Sequence, residues 1–368
     1  MAKIPPRITI IAARNQMSHN VITVLSNLAR MLGSSFELHL VVGSDAIPQN
    51  IRSQYKVHIC KVKGYDPGSI RYALRAAFFA ARRIRPDLMM NIIDPHSLGL
   101  AAGIAGRIFK IPTVVRQTGD TFGEYAHSRS FTEQARKFVL YNILGGFAYY
   151  LARHIIVLGK YFQHEMINKG YADRKITVLP QPFDASPFKP ATVDEKLTLR
   201  ERLGLEPDKK IILFVGRISY MKGADRLHEI ILEVTRHNNK IQFCLVGNGE
   251  YADSFRRYDS SSVYLPGPVP HGQVCDYYRT SDLLLFPSRA EGLPNTILEA
   301  LSCHLPIAAT PVGEIPNYVK HTFNEPYQFA KYIMRGNWES DPVPEWFDWD
   351  KQAENYRCFF HQVIQDAD

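Results

Sequence analysis

Two short segments of this chain concentrate the residue types needed to hold an anion. The first is Gly216-Arg217-Ile218-Ser219-Tyr220-Met221-Lys222-Gly223, in which a guanidinium fork and, five residues on, a point-charge ammonium could be set around a diphosphate. The second is Glu291-Gly292-Leu293-Pro294-Asn295-Thr296-Ile297-Leu298-Glu299. Its Gly-Leu-Pro turn predicts a helix N-terminus capped by Asn295 or Thr296, with N–H groups turned toward an anion or hydroxyls. Glu291 lies ahead of that helix and Glu299 about one turn inside it, so two carboxylates could bracket a polar ligand, one on the hydroxyls of a sugar and the other on a ribose. The ordinary readings stand beside these: two solvated cations near a turn, an exposed helical Glu299, and a loop carboxylate at Glu291 that favours the helix dipole.

The elements that must carry these segments are legible in the apolar pattern. Short β-rich runs alternate with longer amphipathic stretches, the signature of parallel α/β units. In the first half the runs are 8–13, 36–42, 56–61, 88–93, 113–117, 154–158 and 176–179, with helical patterns at 20–32, 70–83, 97–109 and 132–152. The proline-dense stretch from Pro180 to Pro190 fits neither period and reads as a linker. Beyond it, strands are expected at 211–215, 241–246, 262–265, 283–286 and 307–309, and helices at 224–237, 273–280, 296–302 and 327–334. The second half thus repeats the first. The expected fold is α/β, two Rossmann-like doubly wound domains facing across a cleft, as a length of 368 residues allows. The expected boundaries are 1–180, a linker at 181–200, 201–345, and a terminal helix within 346–368 that packs back on the N-terminal domain. Ligands of such sheets bind beyond the carboxyl ends of the strands, and both segments of the opening fall there.

Read together, Phe214-Val-Gly-Arg217 with Met221-Lys-Gly, Val246-Gly247-Asn248-Gly249, and the run from Glu291 through Glu299 and Pro306 to Thr310-Pro-Val-Gly313 resemble the retaining GT-B glycosyltransferases of family 4, glycosyl transferases group 1. The likeness is strong over 211–316 and weaker but colinear over most of 1–190. It implies a hexosyltransferase that moves a sugar from a nucleoside-diphosphate sugar, UDP placed ahead of GDP, to a hydroxyl of a lipid-linked or polysaccharide acceptor, with retention of configuration and no metal or other cofactor. By the same resemblance Arg217 and Lys222 hold the diphosphate, Glu291 and Glu299 contact the donor sugar and the ribose, and Gly216 and the stretch Gly292, Leu293, Pro294, Asn295 and Thr296 meet sugar and phosphate. Gly247, with 265–269, lines the base pocket. The chemistry is consistent: breaking a glycosyl phosphate bond leaves a charged diphosphate, which fixed cations and a helix N-terminus stabilise. Front-face attack, with the leaving phosphate accepting the acceptor's proton, needs no hydrolase-type carboxylate pair.

The N-terminal domain is then the acceptor domain. After the strands 88–93 and 113–117 come Asp94-Pro95-His96-Ser97 and Thr118-Gly119-Asp120-Thr121-Phe122. Relatives carry a His at the second position, so either Asp120 or His96 does the polar work here, although a lone loop histidine is more often a surface residue. The chain departs from the family at Ala13-Arg14-Asn15, where a Gly-Gly pair is usual. It departs again after Pro316, where the usual Asn-Gly hairpin is missing. Asp348-Trp349-Asp350 looks like a metal motif but opens the last helix, where Asp348 is expected as a cap. Gly247-Asn248-Gly249 lacks the later glycine and the acid of a dinucleotide fingerprint.

Composition narrows the partners. Residues 1–190 hold 25 Lys and Arg against 11 Asp and Glu, net +14, while 191–368 are net −6. The basic half therefore faces something anionic. Arg71, Arg75, Arg82, Arg83 and Arg85 cluster around one helix, and Arg129, Arg136, Lys137 and Arg153 flank an apolar one containing Phe138, Leu140, Tyr141, Phe147, Tyr149 and Tyr150. That pattern suits an anionic membrane surface, with internal packing of the 132–152 helix as the favoured reading for most of its apolar residues. No nucleic-acid motif is present. Five scattered cysteines form no CxxC pair and leave an odd count, and no apolar run reaches a membrane span. The chain reads as cytoplasmic, peripheral on the inner membrane face. A nucleotide-sugar epimerase of the same fold and a non-catalytic sugar- or membrane-binding protein are the alternatives.

Overall fold

Near-continuous apolar strands belong to parallel sheets covered on both faces, and every strand pair among the described residues is parallel. The computed structural model describes residues 4–15, 17–63, 69–119 and 130–367. In chain order the first half runs β1 (Arg7–Ile11), α1 (His19–Leu32), β2 (Glu37–Val42), α2 (Gln49–Gln54), β3 (Lys56–Ile59), α3 (Ile70–Phe79), β4 (Leu88–Asn91), α4 (Leu100–Phe109), β5 (Thr113–Arg116), α5 (Phe131–Phe138), α6 (Gly145–Leu151), β6 (His154–Val157), α7 (Lys160–Asn168) and β7 (Ile176–Val178). Its sheet has the order β3-β2-β1-β4-β5-β6-β7. Ser18 occupies the cap of α1 without a side-chain bond to it.

The second half runs α8 (Val193–Leu203), β8 (Lys210–Val215), α9 (Ala224–His237), β9 (Ile241–Val246), α10 (Ala252–Phe255), β10 (Val263–Gly267), α11 (His271–Thr280), β11 (Leu283–Phe286), α12 (Asn295–Ser302), β12 (Ile307–Ala309) and α13 (Pro326–Arg335). Its sheet order is β10-β9-β8-β11-β12. The chain closes with α14 (Trp349–Gln365).

The chain divides into a unit of residues 1–183 with 348–368 and a unit of residues 184–347. In the first unit α14 is part of the core: Tyr356, Phe359, Phe360 and Val363 pack with Ile8, Ile10, Leu28, Phe36 and Leu40. The Gln352 amide bonds both N–H and C=O of Phe183 (3.1 and 3.0 Å), and Tyr356 Oη donates to the Pro180 carbonyl at 2.7 Å. Asp348 caps α14 by accepting the Lys351 N–H at 3.0 Å.

The expected linker at 181–200 is shorter than supposed. Helix α8 starts inside it, opened by a capping box of Thr192 and Glu195, and belongs to the second unit. Arg200 and Lys196 both reach Asp282, at 2.7 Å each, and Asp282 Oδ2 also accepts the Ile211 N–H at 2.8 Å.

The apolar segment 131–151 also differs from expectation. It is α5 and α6 joined by a π-helical stretch, and internal packing claims only part of it. Tyr149 and Ala148 are buried, but Phe131, Phe138, Val139, Ile143, Phe147 and Tyr150 are exposed. Their spacing follows one helical face, with Arg136 exposed and Lys137 half-buried among them.

Candidate functional site

In the second unit the strand order reverses between β8 and β11, the topological switch point at which open α/β sheets bind ligands. The loops after these two strands carry the expected cations and carboxylate. Backbone bonds knit the first to its neighbours: Gly216 N–H to Val246 O (3.0 Å), Ile218 N–H to Asn248 O (3.0 Å) and Gly247 N–H to Gly267 O (2.9 Å). Arg217 is exposed between these fixed points. Lys222 lies in a turn that ends at Gly223, where φ is +76° and a Cβ would stand 2.2 Å from the Pro287 carbonyl oxygen. Only glycine lets the β8 loop lie that close to the β11 loop.

Lys222 Nζ lies 2.5 Å from Glu291 Oε1 and 5.6 Å from the centre of the Phe286 ring. Sequence reasoning assigned the cation to a diphosphate and the carboxylate to a sugar; the structure also joins them to each other. The backbone of Glu291 and Gly292 is held from the other side by Gly313, whose φ is +56° and whose Cβ would sit 2.3 Å from the Glu291 carbonyl oxygen. Glu314 N–H adds a bond to Gly292 O at 3.0 Å.

Neither Asn295 nor Thr296 caps α12. Pro294 is the cap, at φ −73° and ψ 133°, with no side-chain bond, because its carbonyl already accepts the Ile297 N–H at 3.1 Å. Asn295 and Thr296 are therefore the first helical residues, and the positive end of the helix dipole lies beside Glu291 and the buried Leu293. Glu299 is not an exposed helical position. It is 6% exposed and accepts the Tyr278 hydroxyl at 2.6 Å. Burial pushes its carboxyl up to about 7, with the Tyr278 bond working in the opposite sense.

Two contacts escaped sequence reasoning. Tyr278, on α11, is one, since nothing local marks it as the partner of Glu299. The other is Arg289, in the β11 loop, which makes a bidentate pair with Asp225 of α9 at 2.7 and 2.6 Å.

In the first unit His96 lies in a π-helical turn at Pro95–Gly99, directly after β4. Its ring meets Tyr141 edge-on at 5.0 Å, and its buried Nδ1 has no hydrogen-bond partner among the described residues. Burial lowers its basicity, opposed by Asp94. It is not the surface histidine of the ordinary reading. Asp120 lies outside the described residues, as does Arg129.

Comparison with known proteins bears on the same region. The family Glycosyl transferases group 1 matches residues 209–334, which hold Arg217, Lys222, Glu291 and Glu299. The chain is 28% identical over 264 residues to TuaC of Bacillus subtilis, named a teichuronic acid biosynthesis glycosyltransferase, covering 69% of this chain and 63% of that protein. It is 32% identical over 152 residues to the D-inositol 3-phosphate glycosyltransferase of Segniliparus rotundus, covering 39% of this chain and 33% of that protein. In each case the match spans less than two thirds of the relative. Among solved structures, Anabaena HepE in complex with UDP superposes with a TM-score of 0.69 at 16% identity, covering 98% of this chain and 97% of HepE. Sucrose-phosphate synthase of Thermosynechococcus elongatus gives 0.70 at 15% identity, covering 98% and 94%.

Proposed function

We propose, for a chain that has the GT-B glycosyltransferase fold and carries a Glycosyl transferases group 1 domain at residues 209–334, that it transfers a sugar from a nucleoside-diphosphate sugar to an acceptor hydroxyl. The observation that carries this reading is the convergence of Arg217, Lys222, Glu291 and the N-terminus of α12 at the β8/β11 switch point. Fixed positive charge there suits a diphosphate leaving group, and it acts within a unit whose own charge balance is acidic. Arg217, exposed and planar, grips phosphate oxygens; Lys222, tethered by Glu291, supplies a point charge. Glu299 takes the ribose, and Gly247 with the segment 265–269 takes the base. The UDP complex of HepE supports UDP as the nucleotide.

The finer reading is transfer with retention, the leaving phosphate accepting the acceptor's proton, and with charge stabilisation by Arg217, Lys222 and α12 in place of a metal. We assign the acceptor to the first unit, with either Asp120 or His96 as its polar residue, and take it to be lipid-linked or part of a growing glycan. TuaC supports this by its name, as does the α-galactosylglucosyldiacylglycerol synthase of Streptococcus pneumoniae, 28% identical over 163 residues. No helix among the described residues is long and apolar enough to cross a membrane. Peripheral contact through the 131–151 segment fits its exposed apolar face and the positive balance of residues 1–190.

A donor screen tests the reading. Thermal shift across UDP- and GDP-sugars is expected to single out one donor, since a ligand at a hundred times its Kd stabilises by about 2.7 kcal/mol. Incubation with that donor and a glycolipid acceptor then yields free nucleotide and a product of unchanged anomeric configuration, with chelator present. An isomerised donor without transfer would favour an epimerase.

A further inference from the structure

We propose that Arg289 is a positioning residue: it latches the loop after β8 onto the loop after β11 and so sets Lys222 against Glu291. The inference rests on the glycosyl-transfer reading of that site only for its functional meaning; the latch itself is geometric.

Arg289 touches the chain on both sides of Lys222, in the β8 loop before it and at the start of α9 after it. Its own N–H donates to the Met221 carbonyl at 2.9 Å. Its Nη1 donates to the Tyr220 carbonyl at 2.6 Å and to Asp225 Oδ1 at 2.7 Å, and its Nη2 reaches Asp225 Oδ2 at 2.6 Å. The guanidinium carbon stands 3.7 Å from the centre of the Tyr220 ring. Tyr220 and Met221 immediately precede Lys222, and Asp225 follows it by three residues. On its other side Arg289 is separated from Glu291 by Ala290 alone. One side chain, 12% exposed, thereby fixes the backbone from which Lys222 springs relative to the backbone from which Glu291 springs.

Lys222 needs this support. Its ammonium is a point charge on a flexible four-carbon stem, 33% exposed, with one carboxylate contact to define it. Arg289 supplies a planar fork, two parallel bonds to one carboxylate and a stacked ring, a set no lysine reproduces. Misplacement by about 1 Å costs a reacting site on the order of a hundredfold, so a latch outside the reacting atoms affects the chemistry through geometry.

Two measurements on the full chain test the latch. The first is amine labelling followed by mass mapping. In Arg289→Met, Lys222 is expected to react about threefold faster or more, as its bond to Glu291 loosens, while Lys351 keeps its wild-type rate. The second is calorimetric titration with UDP in a double-mutant cycle. Lys222→Ala is expected to weaken UDP binding by about tenfold in the wild-type background, and by less than about threefold in Arg289→Met. Asp282→Asn, which destabilises the same unit elsewhere, leaves the Lys222→Ala ratio intact and separates positioning from lost stability. Arg289→Lys is expected to behave like Arg289→Met. Unchanged Lys222 labelling in Arg289→Met overturns the latch, as does an unchanged Lys222→Ala ratio. If wild type binds no UDP, the same cycle is run with GDP; binding of neither nucleotide fells the functional reading of the site instead, and the labelling result still decides the latch.

Discussion

Lys222 Nζ lies 2.5 Å from Glu291 Oε1, a bond between the loops that follow β8 and β11. The partners are 33% and 11% exposed, so removing either leaves the other poorly compensated. Lys222→Ala and Glu291→Ala are each expected to lower transfer by about a hundredfold or more, as loss of one preorganised charge does. Because the two act as one unit, the double variant is expected to be about as slow as the slower single variant. Steady-state kinetics on the three variants checks this; losses that multiply would mean that the pair is not a unit.

How much of this was legible in the sequence depended on whether a signal was local. The strands around Leu213 and Leu284 are apolar runs, and a residue just past such a run must sit at the carboxyl edge of the sheet, so Arg217, Lys222 and Glu291 could be placed without coordinates. Tyr278 with Glu299 and Asp225 with Arg289 could not, because each pair joins different elements across the fold and neither spacing advertises it. Helix α8 was hidden in the linker for another reason. It buries only Leu199 and Arg200, so its apolar periodicity is faint, although the Thr192 and Glu195 capping box was present to be read. The exposure of Phe147 and Tyr150 was equally illegible, since an apolar stripe reads the same whether it faces a core or a surface.

Glu299 carries a pH dependence. Burial pushes its carboxyl up to about 7, and a ribose diol donates to the ionised form. Nucleotide affinity is therefore expected to rise by up to about tenfold between pH 6 and 8 and then level off, with proton release near pH 7. In the unliganded chain the sign is the opposite. A carboxyl raised above its ordinary 4.5 contributes stability that is complete below that value and is lost as pH rises through about 7. Calorimetry in buffers of different ionisation enthalpy checks the binding side, and Glu299→Gln is expected to flatten the profile. A flat profile in wild type would remove Glu299 from the ribose.

Asp282 is the structural counterpart. Burial disfavours its ionised form, but Lys196, the Ile211 N–H and Arg200 together hold it below 3.8. Its contribution is present above pH 3.8 and is lost as pH falls below that value. Asp282→Asn leaves Arg200 and Lys196 without their carboxylate and is expected to cost about 3 kcal/mol at pH 7. Urea denaturation measures it; a change under about 1 kcal/mol would make the cluster an ordinary surface pair.

The exposed stripe on 131–151 is expected to bind vesicles. Phe131, Phe147 and Tyr150 are 84%, 57% and 66% exposed, so replacing all three by serine should leave the fold intact. Flotation with phosphatidylglycerol-rich vesicles is expected to recover wild type at low salt, with less recovery at 0.5 M salt as charges near the surface are screened, and to lose the triple variant. Equal recovery of both proteins would place the contact elsewhere.

Titration of UDP and GDP into the wild-type chain and into Arg217→Ala tests the central claim most directly. The account predicts that one of the two nucleotides binds wild type, and that Arg217→Ala weakens that binding by about tenfold or more, the worth of a charge-assisted bond to phosphate. Binding of neither nucleotide to wild type, or equal binding to both proteins, would contradict it.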